Sequence, residues 1–149
     1  MERRKFLGLG LAAVALVPAS VSAFDFRKDK PDTWKAHKVD EAIKALYGDI
    51  KPEESGLSIN VPKIASNGGA IPVGMKSDVQ LKSLALFQDA NPEAAVAAFT
   101  IPADVKTVNY MTKIKMAKSG EITLVGEGTD GKFYKVSKKL DVALGGCEG

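Results

Sequence analysis

The chain has one cysteine, Cys147, one histidine, His37, and one tryptophan, Trp34. A thiol can serve as a nucleophile, a metal ligand, a disulfide partner or a covalent attachment point. The counts narrow these roles. One cysteine makes no internal disulfide, and one cysteine with one histidine falls short of a Cys/His zinc site or a c-type haem motif. No clustered Asp/Glu spacing suggests a carboxylate metal site, so neither a metal nor another cofactor is expected. Cys147 stands in Gly145-Gly146-Cys147-Glu148-Gly149, the last five residues. Glycine loses the most conformational freedom on ordering and packs no side chain. The segment is therefore expected to be a flexible arm, residues 145–149, with Gly145, Gly146 and Gly149 as its flanks. Five extended residues span roughly 17 Å, enough to carry a thiol from its own domain into a pocket of another protein. Self-activated cysteines have nearby cations, a helix N-terminus or a metal to lower their pKa. Here Glu148 and the terminal carboxylate disfavour the thiolate, and at an ordinary pKa of about 8.5 only a small fraction ionises at neutral pH. The pattern predicts a passive thiol on which other proteins act.

The rest of the chain must position that arm. From Asp32 or Thr33 to Tyr47, the apolar residues Ala36, Val39, Ala42, Ile43, Leu46 and Tyr47 recur at helical spacing, with Gly48 placed to end the helix. After Pro52 the period becomes two. Leu57, Ile59 and Val61 alternate with polar residues, and so do Ile71, Val73 and Met75, where Pro72 suggests an edge strand. Further strands are expected over 79–87, 95–101 (whose alanines would also suit a short helix), 108–116, 122–126 and from Phe133 to about Leu144. Asn67-Gly68-Gly69, Asp89-Ala90-Asn91-Pro92, Lys118-Ser119-Gly120 and Thr129-Asp130-Gly131 supply turns between them. About seven strands with frequent turns favour an all-β, immunoglobulin-like antiparallel β-sandwich with an N-terminal helix over a βαβ fold. The carrier domain is expected over residues 24–144.

Residues 1–23 have the pattern of a signal peptide. Arg3 and Arg4 precede a mildly apolar run to Val17, Pro18 breaks it, and Val21-Ser22-Ala23 is a small-residue cleavage site. The run is too short and interrupted for a stable membrane span. Arg3-Arg4-Lys5-Phe6-Leu7 resembles the twin-arginine signature, which implies export of an already folded protein to the periplasm. Such export suits a protein that crosses in complex with a partner. Losing the leader, with its three cations and one acid, lowers the formal charge from +3 to about +1. A near-neutral domain has no electrostatic footprint for nucleic acid.

The other candidates have plain structural readings. His37, between charged neighbours, is expected on an exposed helix face, and Trp34 as a packing anchor. Gly126-Glu127-Gly128 lacks the Lys-Ser/Thr of a phosphate loop and fits a strand end or bulge. Lys132, Lys135, Lys138 and Lys139 are expected to form a solvated strand face, or else a surface that docks acidic partners or steers anions.

A β-rich exported domain that ends in Gly-Gly-Cys-x-Gly resembles the SoxY family, the sulfur-carrier subunits of bacterial thiosulfate oxidation, whose terminal motif is Gly-Gly-Cys-Gly-Gly. The resemblance covers the leader, the single-domain layout and the tail, and the tail is its specific part. It implies Cys147 as the attachment point for covalent sulfur intermediates, with Gly145, Gly146 and Gly149 as flexible flanks. It implies a SoxZ subunit as heterodimer partner. It also implies a c-type cytochrome, a sulfate-thiol hydrolase and a sulfur dehydrogenase as visiting enzymes, so that the chain itself is no enzyme. Glu148 departs from the motif, where glycine stands. A carboxylate there repels anionic sulfur groups and restricts the backbone. Two other readings stay open on the residues alone. One is a thiol enzyme, which needs a shielded cysteine with a cationic partner. The other is an exported binding module whose cysteine only forms an intermolecular disulfide.

Overall fold

The computed structural model describes residues 24–143. The expected leader and arm lie outside the described residues. The described chain begins with a short helix, α1 (Phe26–Asp29), a 3-10 turn (Pro31–Trp34) and a longer helix, α2 (Val39–Tyr47). Eight strands follow: β1 (Leu57–Asn60), β2 (Ile64–Ala65), β3 (Ile71–Ser77), β4 (Leu81–Gln88), β5 (Ala95–Thr100), β6 (Asn109–Ile114), β7 (Gly120–Gly128) and β8 (Phe133–Val142).

The single helix expected up to Tyr47 is split. The Ala36 carbonyl accepts from the Ala94 N–H (3.0 Å), and His37 Nδ1 donates to the Pro92 carbonyl (2.8 Å). Both bonds tie the break to the loop between β4 and β5. A carbonyl given to a tertiary contact is lost to a helix ladder, so α2 starts three residues later. At its other end Gly48, at φ 80°, takes the left-handed position and closes on the Lys44 carbonyl at 2.8 Å. Trp34 is half-buried. Its Nε1 donates to the Phe26 carbonyl (3.0 Å) and the Arg27 guanidinium lies 4.2 Å from its ring centroid, so it anchors α1.

The strands form two sheets, a three-stranded one in the order β1-β3-β6 and a five-stranded one in the order β2-β8-β7-β4-β5. Neighbours run antiparallel except at the short β2–β8 pair, which is parallel, with Ile64 opposite Asp141 and Ala65 opposite Val142. The sheets face each other over a core that includes Val73, Met75, Leu84, Leu86, Ile122, Leu124 and Leu140. The far face of the larger sheet is covered by α2, where Ala42, Ile43 and Leu46 pack on Ala85, Phe87 and Val125. A strand alternates its side chains between two faces. In β4 both faces are covered, so Leu84 through Phe87 is a continuous apolar run with no polar alternation.

One expectation changes, and one open choice is decided. Pro72 suggested an edge, yet β3 is the central strand of its sheet. The proline is tolerated because the β1–β3 register ends at Gly74, leaving Pro72 with a partner, Lys113, on the β6 side only. The alanine-rich 95–101 stretch is a strand, β5, held as an edge by β4 alone. The turn residues act as expected. Asn67 Oδ1 accepts from the Gly69 N–H (2.9 Å), and Asp130 Oδ1 accepts from the Lys132 N–H (3.0 Å) beside Gly131 at φ 82°.

Candidate functional site

Cys147, Gly145, Gly146, Glu148 and Gly149 lie outside the described residues. What the fold fixes is the place from which they continue. The last turn of the β8 ladder is held on both sides. On the β2 side Asp141 N–H donates to the Lys63 carbonyl and Ala143 N–H to the Ala65 carbonyl, both at 2.9 Å. On the β7 side Val142 N–H donates to Ser119 Oγ at 2.8 Å. Leu140, 3% exposed, pins the same stretch into the core. Ala143 is thus a firm root, and Cys147, four residues beyond it, lies within about 14 Å of it.

The four lysines singled out in the sequence do not share one face. In β8, Lys135 and Lys139 alternate to the α2 side and Lys138 to the opposite side, while Lys132 lies in the preceding turn and pairs with Glu53 (3.3 Å). Lys135 is half-buried beside Asp40 and Asp49 in a surface cavity of about 300 Å³. Lys138 and Lys139 are exposed near the root, where two lysines from elsewhere in the chain, Lys63 and Lys118, join them. The expectation of a single solvated lysine face therefore fails, because strand alternation divides the run.

Two features of the structure were not legible in the sequence. At the end of β8 away from the root, Tyr47 Oη and Ser83 Oγ are 2.8 Å apart, and Ser83 Oγ donates to Glu127 Oε2 at 3.4 Å. They line a cleft of about 360 Å³ with Phe24, Phe26, Phe133, Lys30 and Lys82. Burial, with a smaller push from the Glu127 charge, drives the Tyr47 phenol well above its ordinary range. Ser83 has no imidazole beside it, since His37 is engaged at Pro92. A serine just ahead of the apolar run Leu84 to Phe87 was the only signal in the sequence. The second feature is a groove of about 680 Å³ between the edge strands β5 and β6, lined by Phe24, Phe99, Tyr110 and Met111. Met111 is 74% exposed and Phe24 49% exposed. Among the described residues, no three His, Cys, Asp or Glu side chains gather to hold a metal ion, and no helix is long and apolar enough to cross a membrane.

Comparison with known proteins bears on the segment beyond the root. The family model of the sulfur oxidation protein SoxY matches residues 43–147, a span that begins in α2 and closes on Cys147. The chain belongs to the SoxY family. Its fold is similar to that of the sulfur carrier protein SoxY from Chlorobium limicola f thiosulfatophilum, at a TM-score of 0.60 and 27% identity, covering 72% of this chain and 97% of that one. A superoxide reductase (neelaredoxin) from Ignicoccus hospitalis shares the fold alone, at a TM-score of 0.53 and 11% identity over 72% of this chain and 90% of that one. No curated protein matches the chain. The SoxY assignment supports a sulfur-carrier role and agrees with the two-sheet, immunoglobulin-like sandwich expected from the strand pattern.

Proposed function

We propose that this SoxY-family chain is a periplasmic carrier that holds intermediates of thiosulfate oxidation on the Cys147 sulfur and presents them to visiting enzymes. The observation that carries this reading is that the family match extends through the chain's one cysteine. Joining thiosulfate to the thiol forms one sulfur–sulfur bond and releases one proton and two electrons, which pass to a c-type cytochrome. A sulfate-thiol hydrolase then removes sulfate, a sulfur dehydrogenase oxidises the remaining sulfane sulfur, and a further hydrolysis restores the thiol. The chain supplies the attachment point and its partners supply the catalysis. Its thiol has Glu148 beside it, so activation falls to the enzyme that receives it.

The leader, with Arg3 and Arg4, directs export of the folded chain by the twin-arginine route. A SoxZ-like subunit crosses with it as a heterodimer. Its docking surface is the side where β5 and β6 stand as neighbouring unpaired edges, with Met111 and Phe24 exposed between them.

Intact mass spectrometry of the protein from thiosulfate-oxidising cells, with a map of the C-terminal peptide, tests the carrier reading. The expected result is a chain beginning at Phe24 with sulfur-containing adducts confined to Cys147, all of them absent from Cys147→Ser. A thiol that stays free or only dimerised during thiosulfate oxidation sinks the carrier and leaves a binding module.

A further inference from the structure

Lys63 and Lys118 are far apart in sequence, and the ladder around β8 brings them to its two sides. The Lys63 carbonyl accepts the Asp141 N–H on the β2 side, and Ser119, next to Lys118, accepts the Val142 N–H on the β7 side. With neighbouring strands about 4.8 Å apart, the two lysine backbones stand roughly 10 Å apart, and the end of β8 lies between them. Lys138 and Lys139 precede the exit on β8 itself. All four side chains are exposed, and none forms an ion pair with a described residue. The acids at this end are Asp141, Asp89, Glu93 in the β4–β5 loop, and Glu121, which stands opposite Lys139; Asp89 Oδ1 is occupied by the Glu121 N–H at 2.7 Å. With exposed Lys115, whose carbonyl accepts from Asn91 Nδ2 in the β4–β5 loop, five lysines stand at this end against these four acids. Cys147 lies within about 14 Å of Ala143 whatever course the chain takes, which is less than about two screening lengths at moderate ionic strength.

We propose that Lys63 and Lys118, with Lys138 and Lys139, form a cationic root that draws sulfur oxoanions to the Cys147 thiol and offsets repulsion from Glu148. The proposal rests on Cys147 being the attachment point. The ligand class is a small anion carrying one or two negative charges on sulfonate-type oxygens, either free or already joined to the sulfur. Exposed lysines bind such an ion only weakly one at a time. Their joint field acts on the rate of encounter, and salt screens it. In this family member, whose motif has a carboxylate where glycine is usual, such a field restores access for anions.

The test compares two disulfide probes reacting with Cys147 in the purified protein, the dianionic dithiobis(nitrobenzoate) and the neutral dithiodipyridine. In each reaction the thiolate attacks the probe, a mixed disulfide forms and an aromatic thiolate leaves. The ratio of the two rate constants cancels the thiol's own reactivity. At low ionic strength the Lys63→Glu/Lys118→Glu variant should lower the anionic-to-neutral ratio about fivefold or more, and added salt should remove the difference. Lys76→Glu/Lys106→Glu makes the same net-charge change at the far end of the sandwich and should leave the ratio within about a factor of two of the parent. A milder Lys63→Gln/Lys118→Gln pair, expected to give about half the logarithmic effect, serves if charge reversal disturbs folding. An unchanged ratio in the root variants, or an equal fall in the remote variant, overturns the cationic root. The adduct map described above reads the carrier role independently. Absence of adducts with a lowered ratio would fail the carrier and keep the root, and adducts with an unchanged ratio would do the reverse.

Discussion

At the scale of single residues, the fold depends on polar groups placed where the chain has no ladder partner. Gln88 is 1% exposed. Its Nε2 donates to the Glu93 carbonyl and its Oε1 accepts from the Ala90 and Asn91 N–H groups, each at 2.7 Å. One side chain thereby satisfies three backbone groups of the β4–β5 loop, the loop that also receives Ala36 and His37. Gln88→Leu leaves those groups buried without partners and should cost about 2–4 kcal/mol in urea unfolding. Tyr134 donates to Asp130 Oδ2 at 2.6 Å across the β7–β8 turn. That bond lowers the Asp130 carboxyl below its ordinary range and pushes the Tyr134 phenol up to about 12. The stabilisation linked to Asp130 is complete above the ordinary carboxylate range and fades as the pH falls through its lowered folded value. That linked to Tyr134 is complete below the ordinary phenol range and fades as the pH rises through about 12. Tyr134→Phe should therefore be less stable than the parent at neutral pH, and the gap should narrow below about pH 4 in acid unfolding curves. A gap independent of pH would show that the loss comes from packing.

At the scale of elements, the larger sheet carries two cores, and each has its own sensitive positions. Leu46 of α2 is 4% exposed on the outer face, and Leu86 of β4 is solvent-free on the inner face. Leu46→Ala and Leu86→Ala should each cost about 2–5 kcal/mol, with the inner substitution at the upper end because neighbours on every side limit collapse. Denaturant titration of the two variants checks the order. Gly126 is fixed by crowding. A Cβ there would stand 3.0 Å from Leu81 Cδ2, close to where the β4–β7 register shifts between Leu81 and Ser83. The Gly126-Glu127-Gly128 run is thus a strand end beside an irregularity, as its composition suggested, and Gly126→Val should cost about 1–3 kcal/mol by overpacking.

At the scale of the whole molecule, the two ends and the open side of the sandwich have different characters. The root of the Cys147 segment is basic, the opposite end holds the Tyr47–Ser83–Glu127 cleft, and the β5/β6 side exposes apolar groups. The partner proposed for that side gives a direct prediction. Met111→Lys replaces the most exposed large apolar side chain among the described residues with a charge at an unpaired edge. It should leave thermal unfolding nearly unchanged and weaken co-purification of a SoxZ-like subunit about tenfold or more. Full retention of the partner would move the docking surface elsewhere.

Alternation of apolar residues was enough to predict β1, β3, β6 and the sandwich, because a half-covered sheet writes its burial into a period of two. Turn chemistry located the hairpins, since Asn67, Asp130 and Gly131 act through neighbours a few residues away. The expectation of a passive thiol at Cys147 is equally local, since it is drawn from neighbouring glycines, a carboxylate and a lone cysteine. Other features depended on contacts between distant segments. Whether 95–101 was strand or helix rested on β4 lying beside it. The helix break at Ala36 followed from Ala94 claiming a carbonyl. Pro72 sits inside a sheet because β1 stops short of it. The lysines that surround the root come from three separate stretches, and one run of lysines in β8 is divided between two faces. The sequence by itself determined how the strands alternate and which residue is proposed to hold a cargo, because those properties act within a few bonds. Only the tertiary structure decided which charges stand around the exit of the last strand, because strand pairing, and not proximity along the chain, sets what is near.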